Sequence, residues 1–238
     1  MAKDKGTSSP ARPPAQAAPQ VAHGGDHHRD EAYSLSTPDQ HRRYYDEWAD
    51  TYDDDFVAAE GYAAPHHLSG IFARVMTPDD LPVADIGCGT GLVGQCLRNH
   101  GIDGAVHGFD ISPKMMEIAA AKGGYDKFVE ADITAPLPRD WGGYGALLSA
   151  GTFTLGHLGP DDLARCFPLL RPGGLALISI NAVHFRDRGF DEAFQDWQNR
   201  GMISAPVWHN IDLYFNPEDV VAGSKTGIVA EFRVNPQP

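Results

Sequence analysis

Three glycines within five residues, Gly87, Gly89 and Gly91, follow the apolar run Val83-Ala84-Asp85-Ile86 and lead into Leu92-Val93-Gly94. A short apolar run bounded by glycine predicts a buried strand over 82–86, and the segment beyond it predicts a helix over 92–100. Glycine lets the backbone turn sharply and leaves no Cβ between the chain and a ligand. Such a loop also presents N–H groups at a helix N-terminus, where they suit a carboxylate or a phosphate. Strand, glycine loop and helix in this order point to an α/β fold that binds ligand at the carboxyl edge of its sheet.

The rest of the chain repeats the alternation. Strands are expected over 105–110, 127–130, 144–149 and 175–180, with helices over 113–122 and 161–170 between them. Alternating strands and helices imply βαβ units and a mostly parallel sheet. After a helix over 190–199, extended runs at 207–215 and 227–234 have no room for a helix between them, so they read as an antiparallel hairpin. With 238 residues, 42% of them hydrophobic, one α/β core is affordable in size.

Ahead of the first strand, Thr37-Pro38-Asp39 reads as a helix cap followed by proline in the first turn. An acidic, aromatic stretch at 52–56 and a helix over 66–76 follow it. Residues 1–36, dominated by Pro, Ala, Gln and His, bury too little apolar surface to offset their ordering entropy and are expected to be a disordered tail. The organisation expected is therefore a tail at 1–36 and one domain at 37–238, whose residues 37–78 form a helical lid.

Charge narrows the partners. There are 19 Lys and Arg against 32 Asp and Glu, a net charge of -13. Binding to nucleic acid depends on neutralising phosphates with basic residues, so this balance disfavours nucleic acid and an anionic membrane surface. A small neutral or cationic molecule fits better. Cys88, Cys96 and Cys166 make no C-x-x-C pair and no disulfide framework. No run approaches the ~18 apolar residues of a membrane span, and no secretory core is visible, so a cytoplasmic location is expected. His23, His27 and His28 lack a Cys or carboxylate at ligand spacing, so no metal is expected.

The glycine loop admits two readings. Gly89-Thr90-Gly91-Leu92-Val93-Gly94 fits the dinucleotide fingerprint G-x-G-x-x-G, but there the first glycine follows the strand directly, and here that glycine is Gly87. The longer string Asp85-x-Gly87-x-Gly89-x-Gly91 resembles the first motif of the class I S-adenosylmethionine-dependent methyltransferases. Four further segments share the resemblance: Phe109-Asp110-Ile111-Ser112, Glu130-Ala131-Asp132-Ile133, Ser149-Ala150-Gly151-Thr152-Phe153 and Leu170-Arg171-Pro172-Gly173-Gly174. So does Tyr45-Asp46-x-Trp48-Ala49-x-x-Tyr52-Asp53. Residues 149–157 are similar to a branch of that family related to the Williams–Beuren-region methyltransferase-like protein.

The resemblance spans about residues 37–234 and implies a Rossmann-like seven-stranded α/β sheet whose last strands are antiparallel, under an N-terminal helical lid. It implies S-adenosyl-L-methionine as cofactor. Asp85, Gly87, Cys88, Gly89 and Gly91 would form and support the loop beneath the methionine moiety. Asp110 would accept hydrogen bonds from the ribose diol, with Ile111 beside it. Asp132 and Ile133 would meet the adenine, and Met115 would pack on its face or simply fill core. Ser149, Ala150 and Gly151 would line the methionine pocket, and Tyr45, Trp48 and Tyr52 would close over it.

Methyl transfer from a sulfonium chiefly requires that the acceptor be held in line with the methyl group. A base helps where the acceptor carries a proton, and His157 and His184, after the fourth and fifth strands, are the candidates, with His66 and His67 behind them. The residues after the fourth strand, Ser149-Ala150-Gly151-Thr152, lack the Asn/Asp-Pro-Pro-Tyr/Phe pattern of enzymes that methylate nucleobases or glutamine amides. The expected activity is methylation of a small molecule at O, N or S by a monomer or homodimer. An NAD(P)-dependent oxidoreductase and a cofactor-binding regulatory protein without catalysis are the alternatives.

Overall fold

The computed structural model describes residues 35, 37–216 and 225–236. The tail expected at 1–36, with its histidines, lies outside the described residues except for Leu35. The first helix, α1 (Pro38–Trp48), starts where the cap chemistry places it. Thr37 Oγ1 accepts from the Gln40 N–H, and the Gln40 side chain accepts from the Thr37 N–H. A π-helical turn (Asp53–Ala58) and α2 (Ala64–Val75) follow.

From there the chain alternates β1 (Val83–Ile86), α3 (Leu92–Asn99), β2 (Val106–Asp110), α4 (Pro113–Lys122), β3 (Lys127–Glu130) and β4 (Tyr144–Phe153). It continues through α5 (Pro160–Cys166), β5 (Leu170–Asn181), α6 (Ala182–Asp187), α7 (Phe190–Asn199), β6 (Val207–Asp212) and β7 (Thr226–Arg233). The seven strands form one sheet in the order β3-β2-β1-β4-β5-β7-β6. All neighbours are parallel except at β7, which runs antiparallel to both β5 and β6. The direction of winding reverses between β1 and β4, which opens a crevice at their carboxyl ends.

Both faces of the sheet are covered, so its central strands are mostly apolar, with Asp85, Ser149, Ser179 and Asn181 the polar residues buried in them. On one face Phe167, Phe190, Phe194, Trp197 and Phe232 form the core. On the other, Leu68 and Phe72 of α2 pack with Val93 and Leu97 of α3.

Three elements differ from the sequence reading. β4 continues past residue 149 to Phe153, with a register shift against β5 between Ser149 and Phe153. Polar residues at 149 and 152 hide this extension, because both hydroxyls satisfy a carbonyl of β1 rather than face water. The helix expected at 161–170 stops at Cys166 and becomes a 3₁₀ turn over Phe167–Leu169. Pro168 has no N–H to continue an α-helix. The turn expected at 171–174 is an excursion inside β5, where Gly173 has φ +80°. Among the described residues no helix is long and apolar enough to cross a membrane, and no three metal-ligating side chains cluster.

Candidate active site

The loop after β1 is left-handed at Gly87 (φ +67°), Gly89 (φ +50°) and Gly91 (φ +90°). A Cβ at Gly87 would lie 2.0 Å from Thr152 Oγ1. A Cβ at Gly89 would meet nothing within 4 Å, so that side of the loop faces open space. Asp110 at the end of β2 fixes the loop: its Oδ2 accepts from the Gly89 N–H at 2.8 Å, and its Oδ1 from the Ser112 N–H at 2.9 Å. Each carboxylate oxygen keeps capacity for a further donor. Burial pushes the Asp110 carboxyl above its usual value, partly opposed by those amides. At the end of β3, Asp132 Oδ1 accepts from both the N–H and the hydroxyl of Thr134.

These strand ends enclose a cavity of about 550 Å³. Its walls include Gly87, Gly89, Asp110 and Asp132 beside the apolar Ile111 and Met115. Behind the loop, Asp85 is fully buried. Its Oδ2 accepts from Tyr125 Oη at 2.6 Å, while its Oδ1 has no partner. Burial pushes this carboxyl up to about 7. Tyr125 Oη also accepts from the Gly94 N–H, and a Cβ on Gly94 would lie 2.4 Å from the Tyr125 ring. Gly94, the residue that completes the apparent dinucleotide fingerprint, is therefore glycine because of Tyr125.

α1 and the π-helical turn lie over the opposite side. Tyr45, Trp48 and Tyr52 share one helical face, with Trp48 and Tyr52 ring centroids 4.7 Å apart. The row continues through Phe56, Tyr62 and Tyr214. Two carboxylates tie this segment down. Asp46 accepts from Ser112 Oγ at 2.6 Å, and Asp53 accepts from Thr90 Oγ1 at 2.7 Å and pairs with Lys122.

Beneath the rings is a second chamber of about 70 Å³, completed by Thr154, Ser179 and Asn181 among others. No Asp, Glu, Lys or Arg among the described residues lines it. Tyr45, Tyr52, Gly151 and His157 belong to the walls of both spaces. His157 Nδ1 lies 2.9 Å from the Leu155 carbonyl, and its Nε2 2.9 Å from Tyr45 Oη. Burial pushes the His157 imidazole down to about 4.

Of the residues singled out in the sequence, the large cavity brings together Tyr45, Tyr52, Gly87, Gly89, Asp110, Ile111, Met115, Asp132, Ile133, Ala150, Gly151 and His157. Trp48 lines the chamber alone. Asp85, Cys88, Gly91 and Ser149 lie behind the walls. Ser149 Oγ donates to the Ile86 carbonyl. Cys88 is buried against Gly108, its thiol pushed up chiefly by burial. His184 lines neither space: it is buried, its Nε2 2.9 Å from the Leu158 carbonyl. His66 and His67 are exposed at the start of α2 and line neither space. Phe56, Tyr62, Ser179, Asn181 and Tyr214 were missed; they are typical core or strand residues, and only their convergence gives them a site.

A seven-stranded sheet with one antiparallel strand inserted at β7, and a glycine loop and carboxylates at its carboxyl edge, defines the class I methyltransferase fold. Residues 83–174 match the family described as Methyltransferase domain. The human Methyltransferase-like protein 27 is 30% identical over 183 residues, covering 76% of this chain and 73% of that protein. The chain belongs to the class I S-adenosylmethionine-dependent methyltransferases. Its fold is similar to that of a TehB-like SAM-dependent methyltransferase from Corynebacterium glutamicum, with TM-score 0.55 and 23% identity over 81% of this chain and 99% of that one. It is also similar to the plantazolicin methyltransferase BpumL in complex with SAH, with TM-score 0.55 and 16% identity over 89% and 96%.

The chain is thus a methyltransferase whose methyl donor is S-adenosylmethionine, and the dinucleotide alternative falls away. The residues present fit that donor. The cavity walls combine carboxylates and a glycine loop open on its Gly89 side with apolar side chains, as a cationic nucleoside requires. The unpartnered, buried Asp85 Oδ1 beneath the loop adds negative potential there once ionised. Paired carboxylates suit a pyrophosphate poorly.

Proposed function

We propose that the enzyme methylates a small molecule, holding its cofactor in the large cavity and its acceptor in the aromatic chamber. The observation that carries this reading is the chamber itself: a space of about 70 Å³, ringed by side chains and sharing a wall with the cofactor cavity. A space of that size suits the head group of a small acceptor, and among the described residues its walls hold no Lys or Arg to engage a phosphate backbone.

In this reading Asp110 takes the ribose diol and Asp132 the adenine amino group, with Ile111, Met115 and Ile133 against the ring. The Gly87, Gly89 and Gly91 turn, backed by Asp85 and Cys88, seats the methionine end beside Ser149, Ala150 and Gly151. The donor supplies an electrophilic methyl on a positively charged sulfur. Tyr45, Trp48 and Tyr52 exclude water and set their electron-rich faces toward that charge, worth roughly 0.5–2 kcal/mol per favourable contact. The segment 37–78 acts as the lid, and holding the acceptor in line supplies much of the acceleration.

S-adenosylhomocysteine should bind with a micromolar dissociation constant, about -8 kcal/mol, in calorimetry. Incubation with labelled donor should then mark small molecules in a metabolite pool. Label found only in RNA or protein fractions would reject the small-molecule reading.

A further inference from the structure

We propose that the acceptor is a neutral alcohol or phenol, and that the Tyr45 hydroxyl and the His157 imidazole form the relay that takes its proton. The proposal rests on the assignment of the two cavities made above.

The direction of the hydrogen bonds comes first. A backbone carbonyl only accepts, so the Leu155 oxygen at 2.9 Å places a proton on His157 Nδ1. The neutral ring then offers its Nε2 lone pair to Tyr45 Oη at 2.9 Å. The residues are 112 positions apart, so the contact is made by the docking of α1 onto the loop after β4. Both side chains stand in the wall shared by the two cavities, where a transferred methyl group has to cross.

The chamber selects the acceptor. Among the described residues its polar groups are the hydroxyls of Thr154 and Ser179, the amide of Asn181, tyrosine hydroxyls and the imidazole, and none of these carries a fixed charge. A carboxylate or phosphate acceptor would be desolvated there with no counter-ion among the described residues. An ammonium gains from the aromatic faces, but it has no lone pair with which to attack. The groups facing His157 do not make it a base strong enough to free one. Among the described residues they are His41, with ring centroids 4.9 Å apart, Tyr45, and His184 at longer range. Burial holds the imidazole at about 4, far below the ~10 of an alkylammonium.

A hydroxyl has no such difficulty. As the acceptor oxygen bonds to the methyl carbon, the carbon–sulfur bond breaks and its electron pair stays on sulfur. The hydroxyl proton becomes strongly acidic on the alkylated oxygen and passes to Tyr45 Oη, whose own proton moves to His157 Nε2. One positive charge is consumed at sulfur and one appears on the imidazole, so the step balances. An imidazole that stays neutral down to about pH 4 is ready for this role throughout the physiological range.

The first measurement needs no turnover. Nitrogen-15 NMR of the ligand-free protein should show His157 protonated on Nδ1 and not titrating between pH 5 and 8. Its Nε2 resonance should move in Tyr45→Phe. A proton on Nε2, or a titration near 6.5, overturns the relay. The second measurement uses protein saturated with S-adenosylhomocysteine and four probes: benzyl alcohol, phenol, benzylamine and benzoate. The two hydroxyl probes should bind at least tenfold tighter than the charged pair, and Tyr45→Phe and His157→Gln should each remove most of that preference while keeping the melting temperature. Benzylamine or benzoate binding as tightly as the alcohols overturns the acceptor class. Failure of S-adenosylhomocysteine to bind at all removes the underlying cavity assignment, and the relay with it.

Discussion

The large cavity is made chiefly by the loops that end β1, β2 and β3, with α1 and the end of β4 closing it, and its walls carry the charged side chains of Asp110, Asp132, Asp162 and Arg188. The chamber beside it takes rings from α1, the π-helical turn and residues 52, 62, 153 and 214, with Ser179 and Asn181 from β5, and no Asp, Glu, Lys or Arg among the described residues lines it. The first recognises a ligand through groups fixed by turn geometry, whose hydrogen bonds span a few residues or neighbouring strand ends. The second recognises by exclusion, through the space left when distant elements pack. Substitutions in the first should therefore act on cofactor affinity with little regard to the acceptor, and substitutions in the second the reverse.

The sharpest break is Gly89→Ala. The new methyl meets no protein atom within 4 Å, and left-handed backbone costs alanine only about 1–2 kcal/mol. The fold should survive while S-adenosylhomocysteine affinity falls by roughly a hundredfold, about 2.7 kcal/mol. Near-normal calorimetry in a folded Gly89→Ala protein would move the cofactor away from this loop. Asp110→Ala should come next. Charge-assisted hydrogen bonds are worth roughly 1.5–3 kcal/mol each, so a loss of at least tenfold is expected, and an unchanged dissociation constant takes Asp110 out of the site.

Asp85 tests the same cavity through pH. Its carboxyl stands at about 7 against an ordinary value of 3.8, so the folded protein keeps a proton that the unfolded chain gives up between those values. The stability of the ligand-free protein should accordingly fall as pH rises from about 4 to 7, and Asp85→Asn should abolish that fall. A donor carrying sulfonium and ammonium charge favours the ionised carboxylate. Its affinity should rise about five- to tenfold between pH 5.5 and 7.5, with proton release visible as buffer-dependent heats. A flat profile in the wild-type protein would uncouple Asp85 from the cavity.

The smallest effect concerns the boundary between the regions. Asp53 bonds Thr90 and Lys122 and so ties the π-helical turn to the glycine loop and α4. Partly exposed ion pairs contribute little, roughly 0.2–1 kcal/mol. Asp53→Ala should weaken S-adenosylhomocysteine binding only two- to fivefold, yet speed hydrogen exchange across residues 40–60. Exchange that matches the wild type would leave the lid held by its rings alone.

Much of the large cavity was legible in the chain because its geometry is local. Gly87, Gly89 and Gly91 stand at positive φ, Ser112 caps α4, Asp110 ends β2 and Asp132 follows β3 by two residues. The reach of β4 to Phe153 was not legible, since Ser149 and Thr152 read as loop until their hydroxyls are seen on the Ile86 carbonyl. His157 and His184 looked equivalent in sequence, both following a sheet strand. Tertiary packing set one on the shared wall and turned the other to the Leu158 carbonyl.

The sequence by itself determined the order of strands and helices, the loop after β1 and the carboxylates beside it, because turns, caps and strand ends are decided by neighbours in the chain. Only the tertiary structure decided that Tyr45 meets His157, that Tyr125 supports Asp85, and that Tyr62, Tyr214, Ser179 and Asn181 enclose a space. Aromatic and small polar residues carry no local mark separating a filled core from a lined chamber. That distinction rests on how closely two elements approach, and the approach is set by the packing of the whole sheet and its helices.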